Sequence, residues 1–167
     1  PDMNLLEFGC GTGSTALIHA PLVQSITGLD YSRKMIEIAR SKAQDVPNAT
    51  FEVATLGDWP APAASYDMIL GLNIIHLLPD PIAAYADCRR LLKTGGYFVS
   101  GTFCMGDMTG ILPRLLPLAS ATRLIPRVTS ITSDSLVAGI CNAGFEIVEN
   151  WRPQEQGHAV FLIAKAV

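Results

Sequence analysis

The stretch LLEFGCGTGS near the start of the chain constrains the fold most strongly, because an apolar segment runs directly into three alternating glycines. Met3 to Phe8 is apolar and short enough for a buried strand, and Thr12 to Ala20 has helical character. A side chain at Gly9, Gly11 or Gly13 would hinder a positive φ or the close approach of a ligand. The stretch therefore predicts a strand, a tight turn and a helix, with a ligand site at the carboxyl end of the strand.

A carboxylate follows at the place where a nucleoside site needs one. Ser25 to Leu29 predicts the second strand, and Asp30 stands at its end, 21 residues after Gly9. A carboxylate there can accept hydrogen bonds from both hydroxyls of a ribose. The turn is spaced G-x-G-x-G, with Ser14 after its last glycine, which weakens the case for the dinucleotide fingerprint G-x-G-x-x-G. The turn and Asp30 together indicate an adenosine-type ligand.

Helical and extended segments alternate through the first hundred residues. Ser32 predicts the cap of a helix that runs to about Gln44. Further strands are predicted at 49–54, 66–72 and 97–103, and a further helix at about 80–93, ended by the pair Gly95-Gly96. This alternation predicts an α/β fold, a parallel sheet with helices on both faces.

The last third of the chain breaks this rhythm. An irregular segment at about 104–132, rich in Met, Leu and Pro, is followed by a helix at 133–142, which Ser133 is predicted to cap. Strands are predicted at 145–151 and 158–166, and the polar stretch between them is too short for a crossover helix. The two strands should form an antiparallel hairpin at one edge of the sheet.

Composition narrows the class of protein. A chain of 167 residues with 49% apolar residues suits a single domain over 1–167. The first predicted strand begins so near Pro1 that we expect an N-terminal truncation. A net charge of −3, with the basic residues scattered, argues against nucleic acid as a partner. No apolar run in the sequence is long enough for a membrane span, and nothing in it suggests secretion. Four widely separated cysteines predict reduced thiols, a cytoplasmic location and no metal site.

Four ordered stretches, LLEFGCGTG, GLDYSRKMIEIAR, SYDMILGLNIIHLL and CRRLLKTGGYFVSG, resemble the class I S-adenosylmethionine-dependent methyltransferases. The resemblance covers residues 3 to 103. It implies a doubly wound, Rossmann-like, seven-stranded and mostly parallel sheet with an antiparallel C-terminal hairpin. It also implies S-adenosylmethionine as the cofactor and methyl transfer to a small-molecule acceptor as the activity.

The resemblance implies roles for individual residues. Gly9, Cys10, Gly11 and Gly13 match the turn that cradles the methionine part of the cofactor, and Glu7 matches the acidic residue before that turn. Asp30 matches the ribose-binding carboxylate. Positions around the adenine and near the transferred methyl group are matched by Tyr31, Met35, Thr55, Leu56, Asn73 and Ile74. Thr55 departs from the family, because many relatives have an aspartate there.

Methyl transfer from a sulfonium needs alignment and exclusion of water, and no nucleophilic side chain. A general base helps when the acceptor is a hydroxyl or an ammonium group, and His76, after the fourth predicted strand, is the candidate. Its apolar surroundings in IIHLLPDP favour a packing role over a catalytic one. Both roles remain open from the sequence.

The acceptor should be selected by the insert at about 104–132. Its apolar residues would form either a lid over an apolar acceptor or part of the core, namely Met105, Met108, Ile111, Leu112, Leu115 and Leu116. Its cations Arg114, Arg123 and Arg127 would meet an acidic substrate or solvent.

Two other functions are also considered from the sequence. One is a non-catalytic S-adenosylmethionine-binding module. The other is an NAD-dependent oxidoreductase, which Ser14 and the lack of a Tyr-x-x-x-Lys set oppose. The oligomeric state is not predicted.

Overall fold

The computed structural model describes residues 2–108, 129–153 and 157–167, and their centre is a seven-stranded sheet. The strands are β1 (Asn4–Phe8), β2 (Ser25–Asp30), β3 (Ala49–Val53), β4 (Tyr66–Leu72), β5 (Leu92–Phe103), β6 (Phe145–Trp151) and β7 (Ala159–Ala166). Their order is β3-β2-β1-β4-β5-β7-β6. Strands β1 to β5 pair in parallel, while β7 is antiparallel to β5 and β6. The predicted fold class and the C-terminal hairpin are confirmed.

Four α-helices cover the two faces of the sheet in the described residues. They are α1 (Ser14–His19), α2 (Arg33–Lys42), α3 (Pro81–Leu91) and α4 (Ser133–Asn142). Helices α1 and α2 pack through Ala16, Ile36 and Ala39 on one face, in a cluster with Leu5 of β1. Helices α3 and α4 pack on the other face, in a cluster with Leu6 of β1. Neighbouring residues of β1 thus serve opposite cores, as the alternation of side chains along a strand requires.

Strand β1 occupies the centre of this sheet and thereby places the site. It pairs in parallel with β2 on one side and with β4 on the other, with Glu7 opposite Gly28 and Leu70. The strand order reverses direction beside β1, because the chain winds outward to β3 and then returns to β4. Ligands of open α/β sheets bind at such a reversal, outside the carboxyl ends of the strands.

The limits of two expected helices are wrong. The first helix was expected at Thr12, but Gly13 precedes it in a left-handed conformation and α1 begins at Ser14. The helix expected to run to about 93 ends at Leu91, because β5 begins at Leu92 and includes the pair Gly95-Gly96. That pair lies where the register between β4 and β5 shifts, so it forms an irregularity inside a strand instead of a helix end.

The cap expected at Ser133 is also displaced by one residue. Thr132 caps α4, and its hydroxyl accepts a hydrogen bond from the Ser135 amide at 3.1 Å while the Ser135 hydroxyl accepts one from the Thr132 amide. This reciprocal pair is a capping box, which satisfies two amides at the helix start. A serine in the first turn of a helix was therefore mistaken for its cap.

The proposed insert at about 104–132 falls largely outside the described residues. Its beginning is described, with a short 3-10 helix at Met105–Asp107, and Met105 and Met108 are partly exposed. The apolar residues Ile111, Leu112, Leu115 and Leu116 and the cations Arg114, Arg123 and Arg127 lie outside the described residues. In the part of the chain that is described, no helix combines the length and the apolar character that crossing a bilayer requires.

Candidate functional site

The glycine turn after β1 has the backbone that the sequence predicts. Gly9, Gly11 and Gly13 have φ values of +67°, +54° and +72°. A Cβ at Gly9 would lie 2.5 Å from the Ile74 side chain, and one at Gly13 would lie 2.7 Å from the Phe51 ring. A Cβ at Gly11 would have nothing within 4 Å. At Gly9 and Gly13, both the positive φ and the close neighbouring side chains thus require glycine, while the space beside Gly11 is open to a ligand.

Asp30 joins the turn to the start of α2. Its Oδ2 accepts a hydrogen bond from the Gly11 amide at 2.9 Å, and its Oδ1 accepts one from the Ser32 amide at 2.8 Å. The carboxylate is buried, with 8% of the residue exposed. Each carboxylate oxygen has two acceptor sites, so each retains one for a ligand. Asp30 is therefore fixed in place and able to accept from two adjacent hydroxyls.

A pocket of about 300 Å³ opens at the carboxyl ends of β1 to β4. Six of the residues proposed from the sequence line it, namely Gly9, Asp30, Tyr31, Thr55, Leu56 and Ile74. Its opposite wall comes from the start of α3 and the residues before it, including Pro79, Asp80, Ala83 and Asp87. The walls are mostly apolar, and within the described residues no Lys, Arg or His lines the pocket.

Glu7 and Cys10 lie beneath the turn and outside this wall. Glu7 is 3% exposed, and its Oε2 is buried without a hydrogen-bond partner in the described residues. Burial raises the pKa of Glu7 to about 7, although a backbone hydrogen bond from Ala16 offsets part of this rise. Burial, and then the charges of Glu7 and Asp30, raise the pKa of the Cys10 thiol to about 12, so Cys10 is suited to packing and not to reaction.

Two residues near the start of α2, Tyr31 and Met35, are proposed to flank the adenine, and they have different surroundings. Ser32 caps the helix, as predicted, and its hydroxyl accepts from the Met35 amide at 3.4 Å. Tyr31 lines the pocket with 78% of the residue exposed, so its ring is free to adjust to a ligand. Met35 is 39% exposed and is not part of the pocket wall.

The loop after β3 supplies Thr55 and Leu56. Leu56 is buried in the core cluster beneath the pocket, where it forms an apolar floor. The Thr55 hydroxyl donates to Asp58 Oδ2 at 2.6 Å and accepts from the Asp58 amide at 3.3 Å. Its hydrogen is thus committed to Asp58, and towards a ligand it can act only as an acceptor.

The segment after β4 carries Asn73, Ile74 and His76. Asn73 is exposed, and its φ of +56° is a left-handed conformation that asparagine tolerates. Its backbone amide donates to the Gly101 carbonyl at 2.7 Å. Ile74 covers Gly9. The His76 ring packs edge-on against Phe103, its Nδ1 is buried without a partner in the described residues, and burial lowers its pKa. The imidazole is therefore neutral at neutral pH.

Sequence reasoning missed two parts of this site. The wall formed by Pro79, Asp80, Ala83 and Asp87 had a weak signal, since Asp80 followed by Pro81 is a typical helix start at the end of a strand-loop unit. The other part is Lys42, whose Nζ donates to the hydroxyls of Thr12 and Ser14 at 3.0 Å. It had no signal in the sequence, because these contacts depend on how α2 packs beside α1. No group of three or more His, Cys, Asp or Glu in the described residues is arranged to hold a metal ion.

Comparison with known families gives one match across most of the site. Residues 5–96 match the model of a family described as a methyltransferase domain. This range includes β1 to β4, the glycine turn, Asp30 and the segment with His76. It covers more than half of the chain.

Three known proteins are similar to this chain. An uncharacterized methyltransferase, YcgJ of Bacillus subtilis, is 36% identical over 57% of this chain and 38% of its own length. A ubiquinone biosynthesis O-methyltransferase of Cereibacter sphaeroides is 32% identical over 88% of this chain and 62% of its own. The solved structure of an S-adenosylmethionine dependent methyltransferase from Mesorhizobium loti has a TM-score of 0.80 at 17% identity, covers 98% and 91% of the two chains, and supports the fold. The chain spans 38% to 54% of the length of the first curated relatives that it matches.

Proposed function

Because this chain belongs to the class I S-adenosylmethionine-dependent methyltransferases, whose domain model matches residues 5–96, we propose that it transfers a methyl group to a small-molecule acceptor. S-adenosylmethionine is the cofactor. The Cereibacter sphaeroides relative, named for ubiquinone biosynthesis, supports a small molecule as the acceptor.

One observation carries the proposal: the pocket presents hydrogen-bond acceptors and apolar walls. Its polar side chains include the carboxylates of Asp30, Asp80 and Asp87 and the Thr55 hydroxyl, whose hydrogen is committed to Asp58. Such a lining suits a cationic nucleoside with free hydroxyl and amino groups. Among the described residues, no cationic side chain lines the pocket to meet the pyrophosphate of NAD.

The residues below and beside the turn also fit this cofactor. Asp30 would hold the ribose hydroxyls with the acceptor sites that Gly11 and Ser32 leave free. The open space beside Gly11 allows a ligand to approach the backbone of the turn. The unpartnered Oε2 of Glu7 offers an acceptor under the same turn.

When bound, the cofactor supplies a methyl group made electrophilic by a sulfonium. The chain's own part is then to align the acceptor and to exclude water, which Ile74 and Leu56 support as apolar walls. If the acceptor carries a proton, that proton must leave as the new bond forms. His76 is neutral but is not among the residues that line the pocket, so the proton passes to solvent unless the bound acceptor reaches the His76 ring.

The first test is transfer of labelled methyl from S-adenosylmethionine to a panel of phenols, amines, thiols and activated carbon acids. We expect at least one acceptor to be labelled. Binding of the cofactor without labelling of any acceptor in a broad panel would favour the alternative, a non-catalytic cofactor-binding module.

The variant His76→Phe tests the role of the histidine in the same assay. The edge-on contact with Phe103 supports packing, and phenylalanine preserves an aromatic ring there, so we expect kcat to stay within about tenfold of the wild type. Leu77→Ala, an exposed change in the same turn, is the control. A fall of about 100-fold or more in His76→Phe, together with loss of the low-pH limb of the rate profile, would assign His76 as the general base.

The proposal has three further parts. It treats 1–167 as one domain, with the insert at about 104–132 selecting the acceptor. It assumes no nucleic-acid partner, in keeping with the net charge of −3. It places the protein in the cytoplasm, in keeping with four free cysteines.

A further inference from the structure

The side chain of Lys42 contacts the glycine turn at Thr12. Lys42, the last residue of α2, donates from Nζ to the Thr12 hydroxyl at 3.0 Å, to the Thr12 carbonyl at 3.2 Å and to the Ser14 hydroxyl at 3.0 Å. An ammonium group has three hydrogens to donate. All three of its donors are therefore directed to the turn and to the first residue of α1.

The glycines of the turn make it entropically costly to order. Thr12 lies between Gly11 and Gly13, both of which have a left-handed φ. Glycines lose more conformational freedom on ordering than other residues. The backbone of the turn is held by three hydrogen bonds: the Cys10 amide donates to Leu29 O, the Gly11 amide to Asp30, and the Gly13 amide to Cys10 O. Lys42 adds contacts to Thr12, the residue whose own amide is not among these three donors.

Helix α2 is connected to the site at both of its ends. At its start, the Ser32 amide donates to Asp30, the proposed ribose-binding residue. At its end, Lys42 reaches Thr12 across about 30 residues of sequence. Helix α2 therefore provides a second link between Asp30 and the turn, besides the direct hydrogen bond from the Gly11 amide to Asp30.

Fold stability does not explain this arrangement. Lys42 is exposed, and exposed polar contacts of lysine contribute little to stability. A positive charge at the start of α1 is also the unfavourable orientation with respect to the helix dipole. An ordered turn, in contrast, lowers the entropy that a ligand must supply when it binds.

We propose that Lys42 is a positioning residue, which orders the glycine turn for the amino-acid part of the cofactor through its three hydrogen bonds to Thr12 and Ser14. This inference rests on the proposed function, because it takes the turn to hold that part of the cofactor. Lys42 acts through the turn, without itself touching the ligand.

The test compares two ligands in calorimetry. S-adenosylhomocysteine contains the amino-acid part, and 5′-methylthioadenosine lacks it. For Lys42→Met, which keeps an unbranched apolar side chain, we expect the Kd of S-adenosylhomocysteine to rise about 5- to 20-fold. The Kd of methylthioadenosine should change by about twofold or less, and the melting temperature should stay close to that of the wild type.

Two variants complete the design. Lys34→Met removes another exposed lysine of α2 and should leave both Kd values unchanged. Thr12→Val removes one acceptor of Lys42, so its effect on the Kd of S-adenosylhomocysteine should be less than additive with that of Lys42→Met.

Equal Kd values of S-adenosylhomocysteine for Lys42→Met and the wild type would overturn the inference and leave the proposed function intact. Equal weakening of both ligands would also overturn it, since that is the signature of a general structural effect. A wild type that binds neither ligand would overturn the proposed function, and this inference with it.

Discussion

Replacing Asp30 with alanine should weaken binding of S-adenosylhomocysteine by about 1–3 kcal/mol, or roughly 5- to 150-fold in Kd. The change removes acceptors for two ribose hydroxyls. It also removes the acceptors of the Gly11 and Ser32 amides, so the turn loses its link to the start of α2. Isothermal titration calorimetry of the variant and the wild type measures the difference directly.

Two companion variants make this result specific. Asp45→Ala, at an exposed position after α2, removes the same charge elsewhere and should leave the affinity unchanged. Asp30→Asn keeps the shape but has one acceptor oxygen, so its affinity should fall between those of the alanine variant and the wild type. An unchanged Kd in Asp30→Ala would remove the ribose assignment.

Glu7→Gln should change how the free energy of unfolding depends on pH. The pKa of Glu7 is raised by burial from 4.5 to about 7 in the folded chain. Between these pH values the folded state holds one more proton than the unfolded state. The protonated Glu7 carboxyl therefore contributes fully to the free energy of unfolding below pH 4.5, and this contribution is lost as the pH rises to about 7. A shift of this size corresponds to about 3 kcal/mol, and glutamine, which does not titrate, should abolish it.

Urea unfolding of both proteins at pH 4.5 and pH 7.5 measures this effect. The difference in stability, variant minus wild type, should grow by about 3 kcal/mol in favour of the variant as the pH is raised. Taking the difference cancels groups that titrate equally in both proteins. Glu37→Gln, an exposed change on α2, should show no such growth. Parallel pH profiles for Glu7→Gln and the wild type would mean that Glu7 is already ionised in the folded chain.

The fold was largely predictable because its signals are local. Tyr66 to Leu72 is an apolar segment bounded by polar residues, and Phe145 to Trp151 follows Gly144; both strands have the expected limits. The misplaced end of α3 shows how tertiary structure overrides a local signal. Gly95-Gly96 is a strong helix-end signal by itself, yet pairing with β4 draws these residues into β5.

In the candidate site, the predictable residues are those at positions where only one residue type fits. Gly9 and Gly13 are required by a positive φ and by close neighbours, and Asp30 is the only carboxylate at the end of β2, so these residues stand out in the sequence. The contacts of Lys42 could not be predicted, because they depend on the packing of α2 beside α1. The pairing of Thr55 with Asp58 was missed because two exposed polar residues in a loop give no pattern.

The most direct measurement of the central claim is calorimetric titration of the wild-type chain with S-adenosylhomocysteine, with NAD titrated in parallel. We expect S-adenosylhomocysteine to bind with a Kd in the micromolar range, about −8 kcal/mol, and NAD not to bind. Binding of NAD, or no binding of S-adenosylhomocysteine, would contradict the assignment of the glycine turn and Asp30 to this cofactor.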